Sequence, residues 1–385
     1  MVGSKKKVLI SGAGVAGMMC AVLLDNEKYD IEMVERADSF RNIGFSIVLW
    51  KTGFRLLAGL LAANNVSIEE GKDYFKTDAF IAFGGGLLHQ LVRVHSAGFA
   101  WTFERARLME ALEKALVKQI PPNQISFSRW IRKLEQREGG TGTRVVFDNG
   151  DEKKYDIVII AEGINSNTRS LMTVAERILP VPYILRYAWF STPTNLGTSA
   201  AAFLTKNHLG IIHPPMHHNL LGFYFKKGTS EAERATFQER VLAVIKQSDG
   251  TKARIDLDTR GEFELQEIHV DPYFSRGVVL VGDAAHGRPP TLGFGTSLAI
   301  EDAAFLCARL NALEDVSAAS LEEVFRSYSD VRARRVEEVY RFQNFVHYLG
   351  TSWYYGIMLL PKPLKAVLGK WIERRLQKLA SFELA

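Results

Sequence analysis

The 385-residue sequence predicts an α/β fold, in which a parallel-sheet domain is interrupted by an inserted, largely antiparallel β-sheet and followed by C-terminal helices. Three observations carry this. A glycine-rich turn joins an apolar strand to a helix near the start of the chain. From about residue 180 to 226 the pattern changes to short β-rich runs. An apolar run, Val278-Val279-Leu280-Val281, then returns as a strand, and long helical patterns fill the remainder.

Taken in order, Lys7 to Ser11 reads as a strand, and Gly12-Ala13-Gly14-Val15-Ala16-Gly17 as a turn opening a helix to about Leu24. Tyr29 to Val34 is a second strand, ending in Glu35-Arg36, which completes the first half of a βαβ unit. Leu108, Leu112 and Leu116 share one face of a helix over 105–118. Ile131 to Arg137 and Thr143 to Asp148 form a strand pair across the turn Gly139 to Gly142, and Asn149-Gly150 turns the chain into the apolar run Ile157 to Ala161. Tyr187 to Ser191, Gly210 to His213 and Leu221 to Phe225 are strands of the inserted sheet, and Ser230 with Glu233 makes a capping box for the next helix. The expected division is 1–75, 98–175 and 270–340 for the discontinuous parallel-sheet domain, 76–97 and 176–269 for the inserted domain, and 341–385 for a helical tail.

Hydrophobic residues at 47% and charged residues at 24% are the composition of an ordinary globular protein. A net charge of +5 is too mild for the footprint of a nucleic-acid binder. Cys20 and Cys307 lie in apolar helical patterns without metal-ligand spacing, so they read as buried, reduced thiols, and no metal site is expected. With no apolar stretch of signal-peptide length at the start, the expected compartment is cytoplasmic.

The turn Gly12-x-Gly14-x-x-Gly17 stands where a dinucleotide needs it. Its first glycine permits the tight turn, the second admits a pyrophosphate, and the third lets helix and strand pack closely, with Ala16 beside it. Glu35, 23 residues after Gly12, is placed to bond a ribose hydroxyl pair. A second motif runs Gly282-Asp283-Ala284-Ala285-His286-Gly287-Arg288-Pro289-Pro290-Thr291-Leu292-Gly293-Phe294-Gly295-Thr296-Ser297. Its acid at a strand end can hold a polyol chain, and its later glycines present backbone N–H groups at a helix start to a reduced flavin's negative edge.

With both motifs in hand, the sequence resembles the FAD-dependent aromatic monooxygenases of the para-hydroxybenzoate hydroxylase fold, whose run G-D-A-A-H-x-x-P-P-x-x-G-x-G is matched by Gly282 to Gly295. The resemblance spans about residues 7–340 and implies a Rossmann-type FAD-binding domain. It assigns Glu35-Arg36 to the adenosine, Arg105 to the phosphates or ribityl chain, and Asp283, Gly293, Gly295, Thr296 and Ser297 to the flavin half. His286 it leaves structural. The family's third motif, Asp-Gly-x-x-Ser-x-x-Arg, reads Glu162 to Arg169 here, with glutamate for aspartate. Ser297 stands where many members have asparagine.

The resemblance further implies NAD(P)H as a transient reductant, since there is one Rossmann fingerprint, and O2 as co-substrate, with one oxygen atom transferred through a flavin C4a-hydroperoxide. Pro289, Pro290, Gly293, Phe294 and Gly295 are expected on the flavin side of the active site. Arg186, Phe190, Phe203, His213, Phe223 and Phe225 are the candidates on the inserted sheet, each weighed against plain packing. The many aromatic side chains suggest a flat, fairly apolar substrate, and the chain length is like that of salicylate-hydroxylase-type and tetracycline-inactivating members. A flavin oxidoreductase acting on a lipid-like substrate without oxygen insertion, or a flavoprotein that sequesters a small molecule, are the alternatives. In the tail, Leu364, Val367, Leu368, Trp371, Ile372, Leu376 and Leu379 alternate with Lys365, Lys370, Arg374, Arg375 and Lys378; such a helix docks on the enzyme body or lies on a membrane surface, and docking is favoured.

Overall fold

The computed structural model describes residues 5–40, 46–84, 88–136, 142–190, 194–205, 207–213, 219–245, 258–351 and 353–383. The turn expected across Gly139 to Thr141 and the Pro214-Pro215 step after His213 lie outside them.

The opening strand, Lys6–Ser11, is central in a six-stranded sheet. Tyr29–Val34 pairs with it in parallel on one side and Ile157–Ile160 on the other, so that Val8 lies between Ile31 and Ile157. Val278–Leu280 continues the parallel order beside Ile157–Ile160. Both faces of this sheet are covered, which is why these strands are runs of consecutive apolar residues: Val8, Leu9, Ile10 and Ile157 to Ile160 are wholly buried. Helix Val15–Leu23 packs between helices Arg105–Gln119 and Gly295–Ala312. Cys20 and Cys307 are both buried and free where two of these helices meet.

The inserted sheet has seven strands, in the order Asp258–Asp271, Ala175–Phe190, Asn219–Lys226, His208–His213, Ala200–Leu204, Ala79–Gly84 and His89–His95. Every neighbouring pair is antiparallel except Ala200–Leu204 with Ala79–Gly84. In the long strand Ala175–Phe190 the register slips between Pro180 and Ile184, where prolines at 180 and 182 have no N–H to give the ladder. One face of the sheet is roofed by helix Glu231–Val244, which Ser230 and Glu233 cap reciprocally. Two three-stranded sheets complete the β-structure: Ile131–Gln136, Thr143–Phe147 and Glu152–Tyr155, and Ser46–Trp50, Ala100–Glu104 and Tyr74–Lys76.

Three helices end the chain: Ala318–Thr351, Tyr354–Leu359 and Lys362–Ala380. The last lies against strand His89–His95, close enough that a Cβ on Gly369 would come within 3.2 Å of the Arg93 carbonyl. Among the described residues no helix is long and apolar enough to cross a membrane.

Candidate active site

Each glycine of the first turn meets a different physical demand. Gly12 has φ +104°, and a Cβ there would sit 2.5 Å from the Ala161 carbonyl oxygen. A Cβ on Gly17 would lie 1.9 Å from the Gly12 oxygen, so only glycine lets the helix seat on its strand. Gly14 is different: its Cβ would point into open space. It is the N-cap of helix Val15–Leu23, where no side chain caps the N–H groups and no acid stands in the first turn. A helix N-terminus left open in this way is suited to an anion.

Glu35 is held rigidly at the end of its strand, its carboxylate accepting from the Ala13 N–H and the Ala37 N–H, each at 2.8 Å. It lines a polar groove with the exposed Arg36, Arg129 and Glu162. Arg129 packs over the Phe147 ring at 4.1 Å and donates to Asp151 at 2.8 Å, and its buried Nε has no hydrogen-bond partner among the described residues. The sequence offers no local signal for Arg129, because pairing of distant strands brings it to the groove. Glu162 turns out to be the hub of its own loop. Its two oxygens accept from the hydroxyls of Ser11 (2.6 Å), Ser166 (2.7 Å) and Thr168 (2.6 Å) and from the Thr168 N–H (3.1 Å). The glutamate therefore ties the third motif to the end of the opening strand. Arg169, buried, closes the same loop: it pairs with Glu176 and donates to the Ala284 carbonyl at 3.1 Å. Arg105 opens helix Arg105–Gln119 and is half-buried.

The second turn arrives at the first. Gly282, at φ +61°, is wedged between Ala16 and Ala299, whose Cβ atoms would lie 3.3 and 3.2 Å from a Cβ built on it. Asp283 follows, exposed at its surface yet closely flanked by protein, and that desolvation raises its carboxyl above the usual range. The start of helix Gly295–Ala312 lies beside it, 3.7 Å from Asp283 Oδ1 to a Cβ on Gly295, again with no side-chain cap and no acid in its first turn, where half-buried Thr296 stands.

Behind this turn is a buried ionic network. Asp302 accepts from the Gly282 N–H (2.8 Å) and Arg332 Nε (2.6 Å) and bonds His286 Nε2 (2.7 Å); Arg332 and Arg335 both reach Glu301. Burial alone would raise the Asp302 carboxyl, but His286 and Arg332 outweigh it and hold it at about 2. His286 thus has the structural place expected of it.

Two further motif residues have their side chains packed into the protein. Ser297 is wholly buried, and its hydroxyl accepts the Trp50 N–H at 2.9 Å, beneath Gly53. Phe294 is 1% exposed and stacks on Trp50, with centroids 4.4 Å apart, so it supports the loop from below.

The second cavity lies across the loop, lined by Pro290, Thr291, Leu292 and Gly293. Its other walls are the inserted sheet, through Ala82, Ala202, Leu209, Ile211 and His213, and the final helices, through Val346, Leu368, Ile372 and Leu376. Among the described residues not one acid, lysine or arginine lines it; the polar side chains among them are Thr291, His213, Gln343 and His347, with the Trp50 indole tied to the Leu292 carbonyl. Gln343 clamps the loop by accepting from the Leu292 N–H (3.4 Å) and donating to the Pro289 carbonyl (3.3 Å). Burial pushes the His213 imidazole down to about 4, and its buried Nδ1 has no partner among the described residues.

Of the sheet residues proposed for substrate, His213 alone reaches this cavity. Phe190, Phe203, Phe223 and Phe225 are on the opposite face, packed under Phe237 and Val241 of helix Glu231–Val244. Arg186 is held by Glu231 and Glu262 beside that helix. The reason is the period of two in a strand: Phe203 and Ala202 necessarily point to opposite faces. The bulky residues fill the roofed face, and the small ones leave the space that forms a pocket.

The groove fits FAD on its own features. Two open helix starts and a glycine that a Cβ would obstruct suit the pyrophosphate and the flavin edge, Glu35 suits the adenosine ribose, and Asp283 suits the ribityl chain. The family profile described as FAD binding domain matches residues 5–343. Similar chains include an FAD-dependent urate hydroxylase of Mycolicibacterium vanbaalenii, 26% identical and covering 81% of this chain and 82% of that one. Another is a 6-hydroxynicotinate 3-monooxygenase of Pseudomonas fluorescens, 26% identical over 93% and 96%. Among solved structures, Klebsiella pneumoniae HpxO complexed with FAD and uric acid superposes with a TM-score of 0.76 at 18% identity, covering 100% of this chain and 99% of that one. The tetracycline destructase Tet(55) gives 0.68 at 19% identity, with 100% of each covered. The chain belongs to the FAD-binding-domain family, and it is an FAD-dependent monooxygenase.

Proposed function

We propose that this enzyme inserts one atom of O2 into an uncharged aromatic or polycyclic small molecule, with NAD(P)H as the reductant that visits and leaves. The observation that carries the substrate class is the uncharged lining of the cavity beside the Pro290–Gly293 loop. A carboxylate placed there would lose its hydration and find no cation among the described residues, a cost of several kcal/mol by general estimates of about 2–7 for even a neutral polar group. A flat apolar molecule loses nothing comparable and gains from displaced water.

FAD, when bound, supplies the reductive activation of dioxygen and the oxygen transfer. The chain supplies the rest. Segments 1–75, 98–175 and 270–340 hold the cofactor: Gly12, Gly14, Ala16 and Gly17 shape the phosphate turn, Glu35 and Arg36 take the adenosine end, and Asp283, Gly293, Gly295 and Thr296 the flavin end. Segments 76–97 and 176–269 form one wall of the substrate pocket, and 341–385 another. Gln343 fixes the loop on which the reacting ring rests. His213, kept neutral by desolvation, offers Nδ1 to a hydroxyl or N–H of the substrate and so orients it. The apolar walls keep water from the reacting atoms.

The test is to screen neutral and carboxylated aromatic compounds for stimulated NAD(P)H oxidation by the yellow protein, then to follow hits under isotope-labelled dioxygen. Label in the product, with neutral compounds preferred, is the expected result. Product formed without label would transfer support to a reductase acting on a lipid-like molecule, and a preference for carboxylates would refute the substrate class.

A further inference from the structure

Helix Lys362–Ala380 is apolar on two sides. Its inner side, through Leu368, Ile372 and Leu376, lines the cavity. Its outer side is exposed: Leu364, Val367 and Trp371 are 51%, 62% and 48% accessible, and Leu359, just ahead of the helix, is 86% accessible. Trp371 meets the rings of Phe342 and Phe345 on one side, but core packing leaves Leu359, Leu364 and Val367 uncovered, and an exposed apolar stripe of this kind marks a contact surface.

We infer that this outer face docks on an anionic lipid surface. Charge selects that occupant. Lys362, Lys370, Arg374 and Lys378 are all exposed on this helix and make no ion pair among the described residues. Three acids around this helix are engaged: Glu338 pairs with Arg375, Glu337 with Arg341, and Glu373 accepts the His95 N–H at 3.3 Å. A second copy of the chain laid on this face would bring four cations against four cations. A layer of anionic headgroups instead neutralises them, while Leu364, Val367 and Trp371 enter the acyl boundary. No described helix can span a bilayer, so the helix lies in the interface plane. Docked this way, its inner stripe sets the pocket wall next to the bilayer.

The inference is independent of the reaction proposed above and is tested without turnover. FAD-loaded protein is co-sedimented with vesicles of phosphatidylcholine alone and of phosphatidylcholine with phosphatidylglycerol. Binding is expected only to the anionic vesicles, weakening with added salt. The triple variant Lys370→Gln, Arg374→Gln, Lys378→Gln is expected to bind about a hundredfold more weakly, and Leu364→Gln with Val367→Gln at least about tenfold. Flavin absorbance checks that each variant is folded; if one loses FAD, the salt titration of the unaltered chain decides. No binding to anionic vesicles, equal binding to both kinds, or a dimer abolished by the Leu364/Val367 variant in place of lipid binding would each overturn the inference.

Discussion

Gly282 rests against Ala16: two turns separated by most of the chain meet within 3.3 Å of a would-be Cβ contact. Both flank the groove assigned to one extended cofactor, and this contact makes their strands and helices a single scaffold. Substituting Gly282→Val forces a β-branched residue to φ +61° and into Ala16 and Ala299. The expected result is loss of FAD together with a lower Tm of the apo-protein.

Gly14 and Gly17 separate cofactor binding from folding. A Cβ at Gly14 meets nothing and its φ of −80° suits any residue, so Gly14→Ala is expected to fold with an unchanged apo Tm while FAD affinity falls at least about tenfold. Gly17→Ala collides with the Gly12 carbonyl and is expected to cost about 3 kcal/mol of stability before any cofactor is added. Denaturant titration of the apo-proteins and fluorescence titration with FAD distinguish the two outcomes.

Asp302 should be the most sensitive position outside the groove. Replacing it by Asn leaves Arg332, wholly buried, short of a counter-charge and is expected to destabilise by about 3 to 5 kcal/mol. Combining Asp302→Asn with Arg332→Met removes the stranded charge, so the double variant is expected to be more stable than the single one. Urea unfolding of the three chains checks this.

What was legible in the sequence was local. Gly12, Gly14 and Gly17 announce themselves because strand, turn and helix are contiguous, and Val8 to Ile10 because a strand covered on both faces needs unbroken apolar residues. The pocket was less legible. Alternation around Phe203 and Phe223 shows that the strand has two faces, but both faces are buried, and only the position of helix Glu231–Val244 decides which one is filled. Large aromatics stand out in a sequence, whereas a cavity is made by what is small, here Ala82 and Ala202. Gln343, Arg332 and Arg335 act between elements far apart in the chain, and no spacing rule connects Arg335 to the Leu379 carbonyl it bonds at 2.5 Å. The side-chain partner of Ser297 is hidden for the same reason: the Trp50 N–H belongs to a strand 247 residues away.

Ser297→Ala removes that acceptor and leaves a buried N–H unpaired. The expected cost is about 1 to 3 kcal/mol in stability, with the bound flavin's absorbance maxima unchanged, since the hydroxyl is buried and occupied by the Trp50 N–H. A shifted flavin spectrum would instead return Ser297 to the cofactor.

His213 gives the acid side of the stability profile a definite sign. Its folded pKa, about 4, lies below the ordinary histidine value near 6.5. Between these two values the unfolded chain binds a proton that the folded chain refuses, so unfolding gains as pH falls. The contribution is fully present above about pH 6.5, shrinks through the window, and is gone below about pH 4, with a full extent of at most about 3 kcal/mol. His213→Gln has no such proton to bind. Its urea midpoint is therefore expected to fall less than that of the unaltered chain between about pH 7.5 and about pH 4.5. Parallel losses in the two chains would mean that the imidazole titrates freely in the pocket. A neutral histidine could then no longer be used to explain how the substrate is oriented.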